Sequence, residues 1–219
     1  MTTEEDALIA TAMGADAVGF IFAPSPRQVS VAHVAKITTR LPPEIITVGV
    51  FRDEHPERVV EIVFEAGLRA AQLHGHETVD DIVFVASHVR HVIKAYAANS
   101  TDLARSDQLP VEAILVDGHS PGSGKVFDWR LVEKMPRSRH IILAGGLNAE
   151  NVGDAIRRVR PWGVDVSTSL ESSPGVKDPT KVRAFIKAAR TAAPDDDATD
   201  RPGGLGSLSD GPYDWQEDD

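Results

Sequence analysis

The chain has 219 residues, 42% hydrophobic and 26% charged, with no cysteine. That length supports one well-buried core, and the lack of thiols excludes a disulfide framework, a thiolate metal site and a cysteine nucleophile within these residues. No stretch approaches the ~20 apolar residues that span a bilayer and no basic segment leads into an apolar one at the start, so no membrane partner and a cytoplasmic location are expected.

The net charge of -10 is concentrated at the end: residues 194–219 hold nine acidic residues and one basic one, leaving 24 acidic and 22 basic residues before them. A nearly neutral body without a basic stripe is not a nucleic-acid surface. The segment "PDDDATDRPGGLGSLSDGPYDWQEDD" is rich in Asp, Gly, Pro and Ser and has no apolar period. Residues 1–193 are expected to fold as one domain and residues 194–219 to form a disordered acidic tail.

In chain order, Thr2 and Glu5 read as a capping box, with Leu8, Ile9, Ala12 and Met13 on one helical face before Gly14 stops the run. Seven strand-like runs follow: "DAVGFIF" from Asp16, "IITVGVF" from Ile45, "RAAQLHG" from Arg69, "HVIKAY" from His91, "AILVDG" from Ala113, "HIILAGG" from His140 and "GVDVSTS" from Gly163. Helices are signalled by Ser30, by Pro56 in a first turn, by Asp128 before "WRLVEKM" and by Asp178-Pro179, with a weaker signal at "STDLARSD".

Strand starts fall 22 to 29 residues apart, the period of parallel strands joined by helical crossovers. A doubly wound sheet and a barrel both fit. The Gly-x-Gly-x-x-Gly loop of the doubly wound dinucleotide folds is absent, and eight helices with seven strands predict a TIM (β/α)8 barrel with its first strand missing. That strand is expected upstream of Met1.

Barrel chemistry sits where the strands end. After the first run, Pro24 and Pro26 stiffen a loop carrying Arg27, whose guanidinium could grip a carboxylate or phosphate, or simply lie on a surface turn. The fourth run ends near Lys94. The fifth ends in Asp117, a candidate general acid or an Asx-turn. The following "GHSPGSGKV" is not a P-loop, because His119 stands where the first glycine belongs and Val126 follows Lys125. Gly145, Gly146, Ser167 and Thr168 lie in the last two strand-end loops, the frequent phosphate site of this fold, although tight turning alone would also use them. His74 and His76 share one face of an extended segment, but no third ligand accompanies them. No metal site is expected, and His74 reads better as a structural or pocket-lining residue.

The stretches "EDALIATAMGADAVGFIFAPSPRQVS", "VGVF", "QLHG", "IKAY", "ILVDGHSPGSGKVFDW", "ILAGGLNAENV" and "GVDVSTSLESSPGVKD" occur in the order, and cover the extent, that resembles the phosphoribosylanthranilate isomerase family of tryptophan biosynthesis. The resemblance implies a cofactor-free and metal-free Amadori rearrangement of a small-molecule phosphosugar. In it Asp117 is the general acid, Arg27 holds the anthranilate carboxylate, and Gly145, Gly146, Ser167 and Thr168 hold the phosphate. Two departures accompany it. Ser169 stands where the family usually has glycine, and the family's general base, a cysteine on the first barrel strand, has no counterpart in these residues. Impaired turnover by this chain is therefore expected, and the alternative is a non-catalytic phosphosugar-binding relative.

Overall fold

The computed structural model describes residues 1–118 and 139–194. The expected helix at "WRLVEKM", the turn from residue 119 onward and the acidic tail from residue 195 onward lie outside these residues.

All seven expected strands form: β1 (Ala17–Ile21), β2 (Ile46–Phe51), β3 (Ala70–Leu73), β4 (His91–Ala97), β5 (Ala113–Asp117), β6 (His140–Ala144) and β7 (Gly163–Val164). They pair in parallel, each with the next in sequence. Alternation divides the side chains. Val18, Phe20, Phe51, Leu73, Ile114, Val116 and Leu143 face the helices and form the main core. Ala95, Ala113, Leu115, Ile142 and Ala144 point the other way and form a smaller inner cluster. Burial on both faces explains why these strands read as nearly continuous apolar runs.

The helices among the described residues are α1 (Glu4–Ala12), α2 (Val31–Thr38), α3 (Pro56–Glu65), α4 (Val79–His88), α5 (Val152–Val159) and α6 (Pro179–Ala192). Ser30 caps α2, Pro56 opens α3, and Asp178 caps α6 by accepting from the amides of Thr180 and Lys181, as the sequence predicts. The segment at "STDLARSD" is a 3-10 helix, Thr101–Gln108, rather than an α-helix. No helix among the described residues is long and apolar enough to cross a membrane.

Two local expectations are corrected at α1. Its cap is Thr3, whose hydroxyl accepts from the Asp6 amide at 3.1 Å, one residue later than the Thr2 box. The reason is tertiary: the Thr2 hydroxyl donates to the Gly175 carbonyl instead. The buried face is Asp6, Ala7 and Ala10, and Leu8 is 38% exposed, because small residues let α1 lie close on β1 and α6.

A short antiparallel hairpin, β8 (Glu171–Ser173) with β9 (Val176–Lys177), was not predicted; its turn uses Gly175 at φ +87°. It brings the two ends of the sheet together. The Lys177 amide donates to the Asp6 carboxylate at 3.2 Å, and Arg27 beyond β1 pairs with Glu171. Among the described residues no strand pairs β1 with β7, so side chains and this hairpin join the two edges. The architecture is a TIM barrel present in part.

Candidate active site

Strand register places the acidic residues. Asp117 on β5 pairs with Ala144 on β6, and the Asp165 amide, just past β7, donates to the Leu143 carbonyl at 2.8 Å. Asp117, Ala144 and Asp165 therefore form one inward-facing row at the carboxyl ends of three strands. Two interstrand spacings put the outer members about 10 Å apart at Cα.

Asp117 retains 27% side-chain exposure and its Oδ2 lies 3.6 Å from His74 Nε2. Asp165 was not singled out by the sequence reading, although the period-two alternation of "GVDV" aims it inward with Gly163. The residue is exposed to solvent, yet protein closely surrounds its carboxyl. That desolvation raises its carboxyl above the ordinary range; the His74 ring offsets part of the rise and the Asp117 charge adds to it.

The loop after β6 leaves directly beside Asp117. Gly145 and Gly146 follow at φ +90° and +67°, left-handed values that a side chain would strain. The Asn151 side-chain Nδ2 donates to the Gly146 carbonyl at 3.0 Å, and the Asn148 side-chain oxygen accepts from the backbone amides of Glu150 and Asn151, both at 3.0 Å, ahead of α5. The loop after β7 carries Ser167 and Thr168, and the Ser167 carbonyl accepts from Lys177 Nζ at 3.0 Å. Ser169 donates its hydroxyl to the Leu147 carbonyl and so ties the two loops together. The four phosphate candidates thus sit on adjacent, cross-linked loops. A backbone cradle of this kind, at the start of a helix, suits an anion.

Arg27 is not waiting empty for a ligand. Its Nε and Nη2 donate to the two oxygens of Glu171 at 2.7 and 2.6 Å, and the carboxylate is 4% exposed. Lys177 Nζ reaches the same carboxylate at 3.3 Å. Burial alone would raise the Glu171 carboxyl, but the Arg27 bond and the Lys177 charge outweigh it and hold it below the usual range. A second carboxylate would have to be met by the other edge of the guanidinium.

The histidines part company. His74 turns toward Asp117, whereas His76 is 89% exposed and lies 3.3 Å from Asp53. Among the described residues, no group of three His, Cys, Asp or Glu is arranged to hold a metal ion. Lys94 is not at a strand end: β4 continues to Ala97, and the ammonium, 2% exposed, points to the helix side, where it donates to Glu77 at 2.8 Å and to the Gly75 carbonyl at 2.9 Å. Sequence reasoning missed this pair because the two residues lie on different βα units.

A sequence model of the family described as "N-(5'phosphoribosyl)anthranilate (PRA) isomerase" matches residues 1–188. The N-(5'-phosphoribosyl)anthranilate isomerase of Desulforudis audaxviator is 47% identical over 199 residues, covering 88% of this chain and 96% of that protein. The crystal structure of phosphoribosyl anthranilate isomerase from Thermotoga maritima aligns with TM-score 0.80 at 41% identity, covering 87% of this chain and 96% of that one. Another structure of a phosphoribosyl anthranilate isomerase, in complex with reduced 1-(o-carboxyphenylamino)-1-deoxyribulose 5-phosphate, aligns with TM-score 0.77 at 38% identity, covering 87% of this chain and 95% of its own.

Proposed function

We propose, since the chain belongs to the N-(5'-phosphoribosyl)anthranilate isomerase family, that it carries out the Amadori rearrangement of N-(5'-phosphoribosyl)anthranilate in tryptophan biosynthesis. Asp117 protonates the ribose ring oxygen, and the bond from that oxygen to C1 breaks to give an open-chain iminium. Loss of the C2 proton yields an enaminol, which tautomerises to the 1-deoxy-1-aminoketose. The product is an isomer of the substrate, so the sequence needs no oxidant or second substrate.

The observation that carries this reading is the row of Asp117 and Asp165 across the strand ends, with the loops of Gly145–Gly146 and Ser167–Thr168 beside it. The loops support a role in holding the 5'-phosphate. Arg27, through the edge not taken by Glu171, supports one in holding the anthranilate carboxylate. The family's base is a cysteine, and these 219 residues contain none. Asp165, with its raised carboxyl, is the described group best suited to take the C2 proton. A positioned acid or base contributes ~10²–10⁴ in rate, so turnover below that of thiol-bearing relatives is the reading's corollary.

The test is proton NMR of the chain incubated with N-(5'-phosphoribosyl)anthranilate in heavy water. Conversion to the aminoketose, lost in Asp117→Asn, supports the proposal. Tight binding of the reduced aminoketose analogue without any conversion would instead favour the non-catalytic phosphosugar binder.

A further inference from the structure

Three side chains stand in line at the inner mouth. Gln72 lies on β3 between the outward-packed Ala71 and Leu73, is 7% exposed, and places its amide nitrogen 3.1 Å from His74 Nδ1. The opposite ring nitrogen of His74, Nε2, is the one 3.6 Å from Asp117 Oδ2. An amide nitrogen has only protons to offer, so with the Gln72 amide turned nitrogen-first toward the ring, the facing Nδ1 presents a lone pair. A neutral imidazole carries one proton, which then belongs on Nε2.

We propose that Gln72 is a positioning residue that holds His74 as the Nε2–H tautomer and thereby turns an N–H toward Asp117 Oδ2, 3.6 Å away. The inference deepens the isomerase reading and rests on it for the role of Asp117. An oxygen that faces an N–H donor is a poor place for an acid proton. Gln72 therefore biases which carboxyl oxygen of Asp117 carries the proton delivered to the sugar, through a ring that itself need not touch substrate.

The backbone on both sides of the ring is pinned, as such a relay requires. The His74 amide donates to the Phe51 carbonyl at 2.8 Å, and the Gly75 amide donates to the Glu77 carboxylate at 2.9 and 3.1 Å. Lys94 Nζ takes the Leu73 and Gly75 carbonyls at 3.3 and 2.9 Å. Gly75 is packed so tightly that a Cβ there would come within 2.5 Å of the Asp53 backbone nitrogen. A segment held at four backbone groups has little freedom to turn the imidazole away from Asp117.

The experiment is long-range proton–nitrogen correlation NMR of the ¹⁵N-labelled full chain at alkaline pH, where imidazoles are neutral, with His74 assigned by its loss in His74→Gln. The expected spectrum has a proton-bearing Nε2 and a lone-pair Nδ1. In Gln72→Leu the Nδ1–H form gains population, and kcat falls about tenfold with KM nearly unchanged. A wild-type His74 in the Nδ1–H form, or a Gln72→Leu chain with an unaltered tautomer, overturns the proposal. The wild-type spectrum decides the tautomer even if the variant does not fold. Absence of turnover in a chain that shows the Nε2–H form counts against the isomerase reading and leaves the Gln72–His74 relation supported.

Discussion

Arg27 and Glu171, 144 residues apart in sequence, meet in a two-bond fork of 2.7 and 2.6 Å. The arginine follows β1 and the glutamate opens the hairpin after β7, so this pair joins the two edges of the sheet. It also fixes the guanidinium that is proposed to receive the substrate carboxylate. Stability and substrate placement are thus coupled in one contact.

Glu171→Gln is accordingly expected to cost about 3 kcal/mol, the lower end for losing one partner of a buried pair. The lower end applies because Arg27 keeps 22% exposure. The pH dependence has a definite sign. The Glu171 carboxyl is held below its ordinary 4.5, because the Arg27 bond and Lys177 outweigh the opposing effect of burial. The stabilisation is whole above about 4.5 and drains away as pH falls through the lowered folded value. Urea unfolding should therefore show a gap between wild type and variant that narrows on the acid side; a gap independent of pH would contradict the assignment.

The Lys94–Glu77 pair, 2% and 3% exposed, makes a different prediction. Lys94→Met leaves Glu77 buried without its cation and is expected to destabilise by about 3–5 kcal/mol. Removing both charges in Lys94→Met with Glu77→Leu should restore part of the loss, since the orphaned carboxylate is what costs most. Chemical denaturation of the two variants settles it: a double variant at least as unstable as the single one would show that lost packing, rather than the stranded charge, is responsible.

The strands were legible because burial on both faces leaves runs such as Ile114, Leu115 and Val116 with no polar interruption. Helix starts at Ser30, Pro56 and Asp178 were legible because a cap is a local bond between neighbours in sequence. Thr3 was misread as Thr2 because a distant carbonyl, that of Gly175, decides which hydroxyl is free to cap. Asp117 was visible as a carboxylate at a strand end. Asp165 was hidden inside a run read for its small residues, and neither the Glu171 grip on Arg27 nor the Gln72–His74 contact follows from spacing. The former needs the sheet to curl, and the latter needs β3 to end at Leu73, one residue beyond the inward Gln72 amide.

Asp165→Asn probes the second carboxyl through two readouts. Desolvation by the protein around it raises the Asp165 carboxyl, with the His74 ring partly offsetting it and Asp117 adding to it, so the folded chain binds that proton more tightly than the unfolded one. Stability therefore declines as pH rises from the ordinary Asp value through the raised folded value. The amide variant should lack this decline and melt higher than wild type at neutral pH, by a modest amount because solvent reaches the side chain. Its turnover should fall ~10²-fold or more if Asp165 takes the C2 proton. A variant that is both no more stable and fully active would remove Asp165 from the site.

Ser169 separates two effects that its position confounds. Its Cβ adds bulk to the loop after β7, which predicts that Ser169→Gly lets phosphate closer and tightens binding. Its hydroxyl donates to the Leu147 carbonyl and ties the loop after β7 to the loop after β6. A neutral hydrogen bond of this kind is worth about 0.5–1.5 kcal/mol net, a factor of roughly 2–10 in affinity when it preorganises a site. Because the hydroxyl spans the two loops that are proposed to share the phosphate, its loss should outweigh the relief of bulk. Both Ser169→Gly and Ser169→Ala are thus expected to weaken binding of the reduced aminoketose phosphate by that factor in calorimetry, while Ser169→Thr, which keeps the hydroxyl, stays nearer wild type. Tighter binding by Ser169→Gly alone would show that backbone approach, not the cross-link, limits the phosphate site.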